Sequence, residues 1–168
     1  MKKMKRFALP LLLLLFAAGC SSYQDSEAKN VETLEYADLS GLEQTSLGDN
    51  SAVINTVTKL AGGEIPHKIE ISSDVLQIKY DLAAYNEKNE KGSEYWYKPD
   101  KEQRNAALNS AILFTLVNNL NTVKISFIGE TTKEYEFRRE ELANKLNTSF
   151  KSLDEKTYKK YKDAFAEN

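Results

Sequence analysis

The sequence predicts an α+β domain: an antiparallel sheet of about four strands, built from two hairpins, with two main helices on one face and a helical C-terminal tail. Three observations carry this. Apolar and polar residues alternate in two pairs of short segments, within 69–80 and 123–138, which is the period of strands with one buried and one wet face. A helical period precedes each pair. An aromatic stripe, Tyr158, Tyr161 and Phe165, ends the chain at helical spacing.

The N-terminus decides the setting. Lys2, Lys3, Lys5 and Arg6 precede an apolar run from Phe7, with five leucines at 11–15, and then Ala17-Ala18-Gly19-Cys20. That is the layout of a secretory signal peptide. A cysteine after Ala-Ala-Gly resembles the lipobox of bacterial lipoproteins, although leucine is commonest where Ala17 stands. The resemblance implies removal of residues 1–19, a diacylglycerol on the Cys20 sulfur and acyl chains such as palmitate. A membrane span is disfavoured, because the twelve residues 7–18 make a helix of about 18 Å against a hydrocarbon core of about 30 Å. Cys20 is therefore expected as a lipid anchor at the outer face of the cell membrane, and not as a nucleophile.

Composition bounds the remainder. Of the 168 residues, the first 19 hold four of the 23 Lys+Arg and none of the 25 Asp+Glu, so the mature 149 residues carry a net charge of −6. That balance disfavours nucleic acid as a partner. Cys20 is the only cysteine, so no disulfide is available and stability has to come from a packed core. His67 is the only histidine, which argues against a zinc site, and no cofactor is expected.

Residues 20–44 are expected as the lipidated cysteine and a flexible polar tether, since Ser21–Glu27 is small and polar with no apolar period, while Leu34, Tyr36, Leu39 and Leu42 are too scattered to place and leave local packing open. About 22 flexible residues would reach roughly 25 Å. The domain is expected over 45–150. Asp49 or Asn50 suits a helix N-cap, and Val53, Ile54, Val57 and Leu60 suit one buried face before Gly62-Gly63. A hairpin follows, with Ile69 and Ile71 on one strand, Leu76, Ile78 and Tyr80 on the other, and Ser73-Asp74 as the turn. Residues 85–98 read as a long polar loop. Asp100 and Gln103 fit a capping box for the second main helix, striped by Leu113, Leu116, Val117 and Leu120. Val123, Ile125 and Phe127 then pair with Tyr135 and Phe137 across Gly129–Thr132. Arg139–Leu146 reads as a short helix. Over 151–168, Ser152 and Glu155 suggest a second capping box, and the aromatic stripe is expected to dock on the domain.

Candidate chemistry is thin. Tyr95-Trp96-Tyr97 is the candidate binding feature, for aromatics after a loop suit a sugar, peptide or membrane surface. The competing and favoured reading puts Trp96 in the core with the tyrosines at its rim, because a lone tryptophan is usually mostly buried. Glu134 with Glu136, and Glu140 with Glu141, are acidic pairs, but Lys124, Lys133, Arg138 and Arg139 lie among them, as on a solvated face. His67, without a cysteine, serine or second histidine partner, reads as structural. Asp49 is explained by capping, and a carboxylate there would repel an anion.

Leu47-Gly48-Asp49-Asn50-Ser51 with Val53, Tyr80, Leu113-Phe114, Leu116-Val117, Leu120, Val123, Tyr135 and Phe137-Arg138 resemble the DUF4825 family, an exported domain of unknown function in Gram-positive bacteria. The resemblance covers residues 45–150. It implies no catalytic residues, and it favours an extracytoplasmic sensing or interaction role. The expectation is a lipid-anchored, non-enzymatic module that binds a protein or other envelope component. The alternative is a small-ligand or glycan receptor using Tyr95, Trp96 and Tyr97, and a hydrolase lacks its constellation.

Overall fold

The computed structural model describes residues 27–166. The signal peptide and Cys20 lie outside the described residues. Helix α1 spans Asn50–Thr58, and the Asp49 carboxylate accepts from the Ala52 N–H at 3.0 Å, so Asp49 is the cap. Val53, Val57 and Leu60 are buried as expected. Ile54 is not: it sits a helical step of about 100° from Val53 and is 48% exposed. The chain leaves this region through Gly62 at φ +81°, where an added Cβ would lie 3.2 Å from the Trp96 ring. Only glycine satisfies both the left-handed backbone and that close approach.

Strands β1 (His67–Ser72) and β2 (Val75–Asp81) form the first hairpin, with Ile69 opposite Ile78 and Ile71 opposite Leu76. Strands β3 (Thr122–Ile128) and β4 (Thr132–Arg138) form the second, with Val123 opposite Phe137 and Ile125 opposite Tyr135. The sheet order is β1-β2-β3-β4. One expectation is corrected here. The sheet is mixed and only mostly antiparallel, because β2 and β3 run parallel, with Ile78 beside Ile125 and Tyr80 beside Phe127. A parallel pair needs a crossover of a dozen or more residues, and the chain between Asp81 and Thr122 supplies it.

That crossover also corrects the long polar loop expected at 85–98. It contains α2 (Leu82–Lys88) and α3 (Glu90–Ser93), capped by Asp81 on Ala84 N at 2.9 Å and by Asn89 on Gly92 N at 3.3 Å. Helix α4 (Lys101–Leu116) follows. Its expected capping box does not form: Asp100 takes a left-handed conformation, φ 62°, and its side chain makes no cap bond.

Helix α4 is buried on nearly every side. It packs on β3, β4 and α6 (Glu155–Phe165). The stripe of Tyr158, Tyr161 and Phe165 docks as expected, and Tyr161 Oη meets Thr115 Oγ1 at 3.1 Å. The cap is Asp154 on Thr157 N, at 2.7 Å, and not Ser152. Residues 28–39 are also packed, which corrects the tether expected over 20–44. Ala28, Val31, Leu34 and Leu39 are all buried, and Tyr36–Leu39 is a 3-10 turn. Their spacing hid them, because an irregular arm held by others' side chains needs no period of its own.

Two asparagines on α4 organise these contacts. Asn105 accepts from Val31 N at 2.7 Å and donates to Lys101 O and to Tyr95 Oη, at 2.7 and 3.1 Å. One turn later Asn109 accepts from Ala61 N at 3.1 Å and donates to Ala61 O at 2.8 Å and Tyr80 Oη at 3.4 Å. At the far end of α4, Arg139, first residue of α5 (Arg139–Leu146), donates to Leu120 O and Val117 O at 2.7 and 2.6 Å. Its guanidinium also lies over the rings of Phe114 and Phe150. Burial lowers the pKa of that guanidinium.

Asn109→Ala is expected to destabilise the domain by about 2–4 kcal/mol, since it strands the buried Ala61 N–H as well as removing bonds. Urea unfolding measures this; a loss under about 0.5 kcal/mol, the size of an ordinary surface change, contradicts the clamp.

Candidate functional site

The segment 95–97 sends its rings in three directions. Trp96 is 0% exposed. Its ring meets Phe127 at 5.8 Å and Tyr95 edge-on at 5.4 Å. Its Nε1–H is the one buried side-chain polar atom without a hydrogen-bond partner among the described residues. Tyr95 is half-buried, bonded to Asn105, with the Lys101 ammonium 5.1 Å from its ring centroid. Tyr97 is 41% exposed, and its ring lies against Gly129, where an added Cβ would come within 2.9 Å of it. The three therefore do not make one aromatic platform.

Tyr97 instead forms one wall of a crevice of about 840 Å³, open to solvent. Asn86 and Glu87 of α2 line it, with Glu90 and Ser93 of α3, Glu94, and Gly129-Glu130 of the β3–β4 turn. The position follows from topology. Asp81 and Ile128 end the parallel strands β2 and β3 side by side, and the crossover helices rise from that end. In open sheets with parallel strands, the carboxyl ends are where such crevices form and where ligands bind. Ile128, 38% exposed, lies at the same end. A second depression, about 670 Å³, has Tyr95, Lys101, Arg104 and Glu32 on its walls, and Lys98 borders both.

The electrostatics of the first crevice are acidic. Partial burial raises the Tyr97 phenol pKa first, and the charges of Glu130, Asp81 and Glu102 raise it further. The phenol is thus held in its neutral, hydrogen-bond-donating form. Ser93 is buried, and its hydroxyl is already within bonding distance of Asn86 Oδ1 and, at 2.7 Å, Glu90 O. The Asn86 contact ties α3 to α2.

The other sequence candidates are accounted for by local structure. Glu136 pairs with Lys124 at 3.1 Å and Arg138 at 3.3 Å, and the Lys124 hydrogen bond lowers its pKa first. Glu134 accepts from Ser126 Oγ at 3.4 Å. Both belong to a charged outer sheet face, where Lys79 also pairs with Glu70 at 2.8 Å. Glu140 and Glu141 are exposed. His67 Nδ1 is 2.8 Å from Ile65 O, and its ring sits edge-on to Tyr80. Among the described residues no group of three or more His, Cys, Asp or Glu side chains is placed to hold a metal ion.

Residues 42–139 match the family described as Domain of unknown function (DUF4825). The chain belongs to that family. No curated protein and no solved structure matches it. The DUF4825 match runs from just after the buried arm to Arg139, so it includes α1, both hairpins, the crossover and the crevice. The arm and α6 fall outside it.

Sequence reasoning found Tyr97 but missed Gly129 and Glu130 as its neighbours. Gly129-Glu130 read as an ordinary hairpin connection, and nothing local announces that the crossover returns beside it. Glu130→Gln is expected to lower the Tyr97 titration midpoint, because it removes one of the charges opposing the phenolate. The assigned Tyr97 ring-carbon NMR shift, followed against pH, measures it; an unmoved midpoint means that Glu130 does not face the phenol.

Proposed function

We propose that this DUF4825 protein is a lipid-anchored, non-enzymatic binding module at the outer face of the cell membrane, meeting an envelope partner through the rim of the crevice at the ends of β2 and β3. The single observation that carries the binding face is the exposed Tyr97 side chain on the crevice wall against Gly129, with Ile128, also exposed, ending β3 at the same end of the sheet. Exposed apolar groups bordered by polar ones are the usual composition of an interaction site. The glycan-receptor alternative loses Trp96 as a stacking platform, because the indole is fully buried.

Support for the anchor comes from the basic, apolar, small-residue and cysteine order of residues 2–20. Among the described residues no helix is long and apolar enough to cross a membrane. The packed arm shortens the leash. Seven residues lie between Cys20 and buried Ala28, so the span is at most about 28 Å in any conformation. A domain so held works close to the lipid surface.

Cys20→Ser is expected to leave the precursor uncut and unlabelled by radioactive fatty acid in growing cells; normal labelling removes the anchor. In the same cells a photo-crosslinking residue replacing Tyr97 should capture a defined partner, while one replacing Lys68, on the outer sheet face, should not. Equal capture from both positions rejects the crevice rim as the binding face.

A further inference from the structure

The segment nearest the proposed anchor is built differently from the rest of the core. The arm, residues 28–39, has no strand ladder and no long helix. Its backbone is held one group at a time by four separate parts of the fold. Ala28 N donates to Tyr85 Oη at 2.7 Å, Val31 N to Asn105 Oδ1 at 2.7 Å, and Gly62 N to Lys29 O at 2.7 Å. Leu34 O accepts from both Tyr158 Oη, at 2.5 Å, and Lys162 Nζ, at 2.8 Å.

The arm is also braced within itself. Lys29 pairs with Asp38, Glu35 N donates to Asp38 Oδ2 at 2.8 Å, and Leu34 N donates to Asn30 O at 2.7 Å. Its boundary is abrupt. Gly41 turns the chain at φ +75°, and the turn is closed by Leu42 N donating to Leu39 O at 3.2 Å and Lys59 Nζ to Ser40 O at 2.7 Å. Four residues later the chain is latched to the end of α4: Thr45 N donates to Leu116 O at 2.7 Å and Asn118 N to Thr45 O at 2.9 Å. The DUF4825 match begins at 42, between hinge and latch.

We infer that residues 28–41 are a releasable strap: tension from the membrane end frees them as one unit at Gly41, and their departure bares the sides of α4 and α6 that Val31 and Leu34 cover. A chain with internal bracing, point attachments and a glycine turn at its boundary leaves cooperatively, in the manner of a partial unfolding unit. The latch at Thr45 stops the release before it reaches the sheet. The state exposed is an apolar face of α4 bounded by the freed Tyr158 hydroxyl and Lys162 ammonium. Membrane tension as the trigger rests on the lipid attachment proposed above; release itself does not.

The test is native-state hydrogen exchange by NMR on the lipidated mature protein in detergent micelles, at rising urea below the unfolding transition. The Ala28, Val31 and Gly62 amides, whose bonds cross the boundary of the arm, are expected to share one opening, with a smaller urea dependence than the amides of β2 and β3. Tyr158→Phe, which removes one bond to Leu34 O, should make that opening about fivefold more frequent and leave β2 and β3 unchanged; Lys162→Met should act in the same direction. The strap is overturned if the three amides exchange only with the central strands, if they open independently, or if both variants speed the two sets equally. Mass spectrometry of the same sample reads the lipid on Cys20, so a missing anchor and a missing strap give different results.

Discussion

Burial of α4 on nearly all sides is the constraint on which the other elements depend. A helix so enclosed has to satisfy polar side chains internally, and α4 carries several. Asn105 and Asn109 turn that liability into construction. Each offers its amide to backbone that has no strand partner: Asn105 to the arm at Val31, Asn109 to both sides of Ala61. The arm and the loop after α1 therefore have fixed seats without belonging to the sheet. Arg139 does the same at the other end of the helix, where it donates to the carbonyls of Val117 and Leu120 just past the last turn.

What the sequence made legible follows from which interactions are periodic. The strands, α1, Arg139–Leu146 and the docked stripe of α6 all repeat an apolar spacing, and all are found where that spacing puts them. Features that depend on partners far away in the chain were hidden. The parallel pairing of β2 with β3 leaves no mark on either strand, since both already alternate. Val31 and Leu34 are buried because Asn105 and Tyr158 hold their backbone, and neither residue advertises that to a local window. The helices inside 85–98 were masked by their polarity, although Asp81 and Asn89 each sit one residue ahead of a helix that they cap. The candidate site was half legible for the same reason. Tyr97 stands out as an aromatic, but Gly129 and Glu130 reach it only through the crossover.

The division between the family match and its flanks has a physical counterpart. Within 42–139 the sheet and the crossover close on themselves. Outside it, the arm and α6 close on each other across α4, through Leu34, Tyr158 and Lys162. Neither flank would have a complete seat without the other. The domain is thus a shared core carrying a two-part cover, and the part nearest the proposed lipid is the one fastened by single side chains.

The order of the strands has a consequence for how copies behave together. Both outer strands, β1 and β4, have an unpaired edge. An exposed edge is a template on which a second molecule can continue the sheet. Molecules confined to one surface meet in two dimensions and at high local density, so this hazard grows with anchoring. The sequence answers it with charge. Lys68 and Glu70 stand on β1, and Lys133, Glu134, Glu136 and Arg138 on β4. Charged side chains along an edge strand have to give up water when another strand is added, and this cost opposes sheet extension between neighbouring copies.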